Sequence, residues 1–207
     1  MRPASLFAFI AIAALAIPAF AQAPPAPPPE PPTIVRGALE QFAGNTLIID
    51  APDGKKMTVT LAPKFTVRYV IAEKISDIKP GDKVGITSVK DPGGSRRALE
   101  IHILPANIPN LRASEYPSDL RPDSLMTNAV VAQVKNAPTG RTIDVTLNGK
   151  ESEITVPPDA PIVGYGSGDP SLLRPGTAVV VFARKQPDGS LGAASVTTEK
   201  DGVKPPM

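Results

Sequence analysis

His102 is the sole histidine of this 207-residue chain, which has no cysteine. Nucleophilic catalysis of the Ser-His-Asp kind would have to run through it, yet the motifs that flank such triads are absent. Glu100 lies two positions earlier, inside the alternating stretch Leu99-Glu100-Ile101-His102-Ile103. Residues two apart on a strand share a face. Glu100 and His102 therefore offer one carboxylate and one imidazole, a partial ligand set for a divalent metal. With no cysteine and no visible third ligand, the pair falls short of a structural zinc or a tight copper site. The plain expectation is an outward-facing or rim histidine, no catalytic residue and no cofactor.

Other chemistry is sparse. Asp50, Asp53, Asp82 and Asp91 could supply oxygen ligands, but they sit at turns, where aspartate bonds its own backbone without any metal. Gly164-Tyr165-Gly166-Ser167-Gly168 is the one glycine-rich run. It lacks the Lys-Ser/Thr of a phosphate loop, and Asp169-Pro170 follows it, so it reads as a flexible barrel loop with Tyr165 as a solvent-facing contact. Phe42, Phe65, Tyr69 and Phe182 lie in or beside strands and read as core. Lys55-Lys56 and Arg96-Arg97 are basic pairs at hairpins, the ordinary place for solvated charge. Aromatic residues are only 4% of the chain and the net charge is +2. Neither supports nucleic-acid binding.

The elements that must position these residues begin after an export signal. Arg2 precedes an apolar run, Leu6 to Ile17, which is too short for a comfortable membrane anchor. Ala19-Phe20-Ala21 places small residues where a signal peptidase reads, so cleavage is expected before Gln22. The signal peptide is thus 1–21, the mature protein is expected in the periplasm, and no integral membrane span remains after cleavage. Residues 22–32 are rich in proline and read as an extended tether. Losing Arg2 takes the formal charge from +2 to +1.

The remainder says nearly the same thing twice. Asp53-Gly54-Lys55 returns as Asn148-Gly149-Lys150, Ile78-Lys79-Pro80-Gly81-Asp82 as Leu173-Arg174-Pro175-Gly176-Thr177, and Gly94-Ser95 as Gly189-Ser190. The offset is 95 each time (148 minus 53, 173 minus 78, 189 minus 94). Turn signals kept in register indicate two copies of one unit. Each copy reads as short alternating strands broken by turns. In the first copy these are 34–42, 46–50, 56–61, 66–71, 83–89 and 97–104, with one helical turn at 73–78. In the second they are 129–135, 142–147, 151–156, 162–164, 178–184 and 191–197. Asn148-Gly149 is the strongest hairpin signal. The predicted fold class is all-β, two small six-stranded OB-like β-barrel domains in tandem. Domain 1 spans 33–104, a linker 105–126, domain 2 127–198, and a C-terminal tail 199–207.

Ile78-Lys79-Pro80-Gly81-Asp82-Lys83-Val84, followed by a turn and the strand ending Leu99 to Leu104, resembles a family of small exported bacterial β-barrel domains. These are OB-like and have no assigned function. The resemblance covers most of 33–104 and is weaker over 127–198, where Thr177 stands in place of the acidic residue. It implies a barrel fold and carries over no site residues.

Two tethered barrels present surfaces and loops rather than a reactive pocket. The expected function is a non-enzymatic exported binding or scaffold protein, with a protein or cell-envelope component as partner and no nucleic acid. The alternative is a periplasmic metal-handling accessory protein of a transport system, using Glu100 and His102. A third ligand near His102 would discriminate the two.

Overall fold

The computed structural model of the chain describes residues 32–106, 113–137 and 140–206. The predicted signal peptide and all but the last residue of the tether lie outside them. The described residues are all β, with no α-helix and only two short 3-10 turns. No helix among them is long and apolar enough to cross a membrane.

Twelve strands follow in chain order. β1 is Thr33–Ala43, β2 Thr46–Asp50, β3 Lys56–Ala72, β4 Lys83–Lys90, β5 Arg96–Ile103 and β6 Ser114–Pro117. β7 is Leu125–Ala137, β8 Gly140–Leu147, β9 Lys150–Val156, β10 Ile162–Gly168, β11 Ala178–Lys185 and β12 Leu191–Thr198. The strands expected at 56–61 and 66–71 are one continuous β3. The expected linker holds β6, which pairs with β7. The glycine-rich run is a strand, β10, rather than a flexible loop.

All of these strands belong to one hydrogen-bonded sheet that closes into two five-stranded rings. The first ring runs β1–β2–β3–β12–β11 and back to β1. The second runs β7–β8–β9–β5–β4 and back to β7. The rings do not follow the expected bounds 33–104 and 127–198. Each takes three strands from one sequence copy and two from the other. Neither is six-stranded, because the second half of β3, together with β10, forms a seam between the rings.

The Pro-Gly turns secure this exchange. Gly81 and Gly176 hold φ of +91° and +88°, the left-handed geometry that a type II turn demands after proline. Each turn then docks on the first strand of the other copy. Gly81 N–H donates to Val131 O at 2.8 Å, and Gly176 N–H donates to Leu39 O at 2.7 Å. The return bonds are Val131 N–H to Asp82 O and Leu39 N–H to Thr177 O, at 2.9 and 2.8 Å.

Each ring has its own apolar interior. Leu39, Leu47, Ile49, Val59, Leu61, Val181 and Val196 fill the first. Val84, Ile86, Ile101, Ile143, Val145 and Ile154 fill the second. Phe42 and Phe65 meet edge to face and pack against the first interior, as expected of core aromatics. At 25 cal/mol per Å², each such buried side chain contributes about 2 kcal/mol.

The two copies are related by an approximate two-fold that passes through the seam. Val70 and Tyr165 are equivalent positions, 95 apart, and they pair with each other across β3 and β10. On the back of the seam the symmetry is broken by size. Tyr69 lies opposite Gly166, and a Cβ on Gly166 would stand 2.3 Å from the Tyr69 ring. The absent side chain at Gly166 is what leaves room for the tyrosine. Lys200 Nζ lies over that ring, 4.1 Å from its centroid.

Candidate functional site

On the opposite side of the seam, one face runs unbroken across nine strands. Register pairs carry it from Ile34 on β1 to Phe182 on β11, and from Val180 to Thr197 on β12. Thr197 pairs with Arg68 on β3, and Arg68 with Ser167 on β10. From β10 the face passes through Val163 to His102 on β5, then to Gly85 on β4 and Asn128 on β7, ending at Ser114 on β6. Strand alternation puts all of these side chains on the outside of the rings. The sheet curls so far that this outside becomes the wall of a cleft of about 830 Å³ between them.

The open side of the cleft is bridged after β6. Arg36 on β1 donates from Nη2 to both carboxylate oxygens of Asp119, at 2.9 and 3.0 Å. Arg96 pairs with Glu115 on β6, which also accepts from Thr127 at 3.1 Å. The segment expected to be a linker packed along a domain surface is thus fastened to both rings.

His102 and Glu100 sit on the second ring's wall. They share a face, as alternation requires, but it is not a rim. Their exposures are 2% and 1%. The outward-facing expectation fails because the outside of one ring is covered by the seam and the other ring. Tyr165 is likewise no solvent-facing contact. It is half-buried, with its hydroxyl 2.7 Å from His102 Nδ1 and its ring stacked on the imidazole at 5.9 Å. His102 Nε2 lies 3.4 Å from Glu100 Oε1, which accepts from Thr87 Oγ1 at 2.8 Å. A polar chain thus runs Thr87, Glu100, His102, Tyr165, from inside the wall to the cleft surface. Burial holds the Tyr165 phenol well above its ordinary value, with the Glu100 charge adding to the effect and Arg68 opposing it.

Two atoms in this chain stay without a hydrogen-bond partner, Glu100 Oε2 and His102 Nε2. Buried polar atoms are ordinarily satisfied. Among the described residues, no third His, Cys, Asp or Glu joins them in a metal-binding group.

The rest of the lining is mostly apolar. Ile34, Val180 and Phe182 form the first ring's wall, and Met126, Leu104 and Tyr116 complete the opposite side. Phe182, expected in the core, is 42% exposed and faces the cleft. Arg68, on the floor beside Tyr165, makes no ion pair among the described residues.

The other residues singled out in the sequence do turn chemistry. Asp53 caps the Lys55 N–H at 3.1 Å, and Asp82 caps the Lys79 N–H at 2.8 Å. The basic hairpin pairs are engaged by acids: Lys55 by Asp53, Lys56 by Glu40 and Asp50, and Arg97 by Asp91. Sequence reasoning missed Tyr165 as the partner of His102, and Arg68 and Phe182 as lining of the same cleft. Their convergence depends on the strand exchange, which no local signal encodes. Comparison with protein-family models, with curated proteins and with solved structures finds no match to this chain.

Proposed function

We propose that this is a non-enzymatic, exported binding protein that holds a small amphipathic molecule of the cell envelope in the cleft between its two rings. The observation that carries this reading is the cleft itself. Its volume, about 830 Å³, falls in the range of ligand pockets, and its mostly apolar lining with a few convergent polar groups is their usual composition. We read each ring as an OB-like barrel of the kind the sequence resembles. Five strands with one parallel closing pair fit that architecture. Export to the periplasm rests on Arg2, the apolar run and Ala19-Phe20-Ala21, and N-terminal sequencing of the exported protein should begin at Gln22.

The binding test uses the mature chain and a neutral apolar fluorophore, N-phenyl-1-naphthylamine. Its emission should rise on binding. Thr197→Trp, which projects an indole into the cleft, should abolish the rise while leaving the thermal transition in place. No rise, or a rise indifferent to Thr197→Trp, contradicts the reading.

A second reading, metal handling, is favoured by the unpartnered Glu100 Oε2 and His102 Nε2. Calorimetric titration of wild type and His102→Ala with nickel, copper and zinc tests it. Micromolar binding that disappears in the variant supports metal, and no binding in either removes it.

A further inference from the structure

From the charges on the cleft floor we infer that the molecule held there is an amphipathic anion, an apolar body ending in a single carboxylate-like group that Arg68 and Tyr165 receive. This inference rests on the binding reading above. Arg68 is the one basic side chain in the lining, and it is half-buried on the floor between Thr197 and Ser167. Glu100, Asp119 and Glu199 (two residues beyond Thr197) make no ion pair with it among the described residues. Glu100 is 1% exposed and sits behind His102 and Tyr165, while Asp119 is already held by both of its oxygens on Arg36.

The floor therefore presents to the cleft one guanidinium without an ion-pair partner, with the Glu100 carboxylate held behind Tyr165. In a partly dry site, guanidinium favours a planar oxyanion, which it can bind with two parallel hydrogen bonds. Tyr165 completes the site. Its hydroxyl reaches His102 Nδ1 at 2.7 Å and lines the cleft at the same time. A phenol kept neutral can turn its proton toward an entering oxyanion. Thr87, Glu100 and His102 fix its position from behind. The apolar body then lies along Ile34, Val180 and Phe182, where burial of its surface drives binding.

Three ten-carbon probes with the same tail separate the terms: decanoate, decanol and decyltrimethylammonium. Each is titrated against the bound neutral fluorophore on the intact mature chain. Decanoate should displace it at a concentration roughly tenfold or more below that needed for the ammonium, the usual scale of a charge-assisted hydrogen bond. Arg68→Met should erase that preference and leave decanol unchanged, and Arg68→Lys should retain part of it. Preference for the ammonium, or a preference for decanoate that survives Arg68→Met, overturns the inference. If all three displace equally, the cleft reading stands and the anion inference falls. If the fluorophore itself never binds, both fall.

Discussion

The two rings agree inside and disagree where they face each other. Interior positions match apolar for apolar: Val84 with Val179, Ile86 with Val181, Ala98 with Ala193, Ile101 with Val196, Val59 with Ile154, Ile78 with Leu173. On the cleft walls the same strands carry different chemistry. Thr87 corresponds to Phe182, Gly85 to Val180, Glu100 to Ser195, and His102 to Thr197 (each 95 apart). One wall holds a buried polar chain, and the other sets Val180 and Phe182 beside the small hydroxyl residues Ser195 and Thr197. The interiors need only volume and apolarity to close a ring, so the copies can stay alike there. The cleft has two ends to build, and only divergence between the copies can make it amphipathic.

The largest expected effect on this contrast comes from removing the imidazole. His102→Ala leaves a void in a buried wall and strips Tyr165 and Glu100 of their neighbour, which should cost about 2–3 kcal/mol. Thr197→Ala at the matching position should cost less than about 0.5 kcal/mol, as substitutions away from special features do. Urea unfolding of both variants measures the difference. Equal costs would mean that the two walls are energetically alike.

The seam offers a second way to sharpen the comparison. There, Tyr69 of the first copy lies over Gly166 of the second. Gly166→Val forces the ring aside and should destabilise by about 1–3 kcal/mol. Adding Tyr69→Ala should recover part of that loss, so the double-mutant cycle must be non-additive. Additive costs would show that the glycine has some other reason.

The smallest effect is alkaline. The folded-state pKa of Tyr165 is raised, so its contribution is fully present below the ordinary phenol value of 10.0 and is lost as pH rises above it, when the unfolded chain ionises first. Melting temperatures from pH 9 to 11 should fall more steeply for wild type than for Tyr165→Phe. Parallel slopes would contradict the burial of that hydroxyl.

Much of the fold was legible in local pattern. Alternation at 56–61 and 97–104 marked strands, Asn148-Gly149 marked a two-residue hairpin whose φ values are +51° and +76°, and the Pro-Gly phrases marked equivalent turns. Partner choice was not legible. A strand carries its face and its period in sequence, but β11 is equally suited to β1 or to β7, and only three-dimensional closure decides. The site inherited that blindness. Glu100 and His102 were identifiable as a pair from their spacing, but their burial and their link to Tyr165 arise from strands 63 residues apart meeting at the seam. Phe182 has the composition of a core residue and became cleft wall because it lies on the outer face of its ring.

Strand exchange underlies both the rings and the cleft, and splitting the chain between the copies tests it directly. Residues 22–106 and 107–207 are produced separately, examined by circular dichroism and light scattering, then mixed. If each ring needs both copies, neither fragment alone is a folded monomer, and mixing yields a folded one-to-one complex that binds the neutral fluorophore. Two fragments that each fold as monomers and ignore one another would contradict the exchange, and with it the cleft.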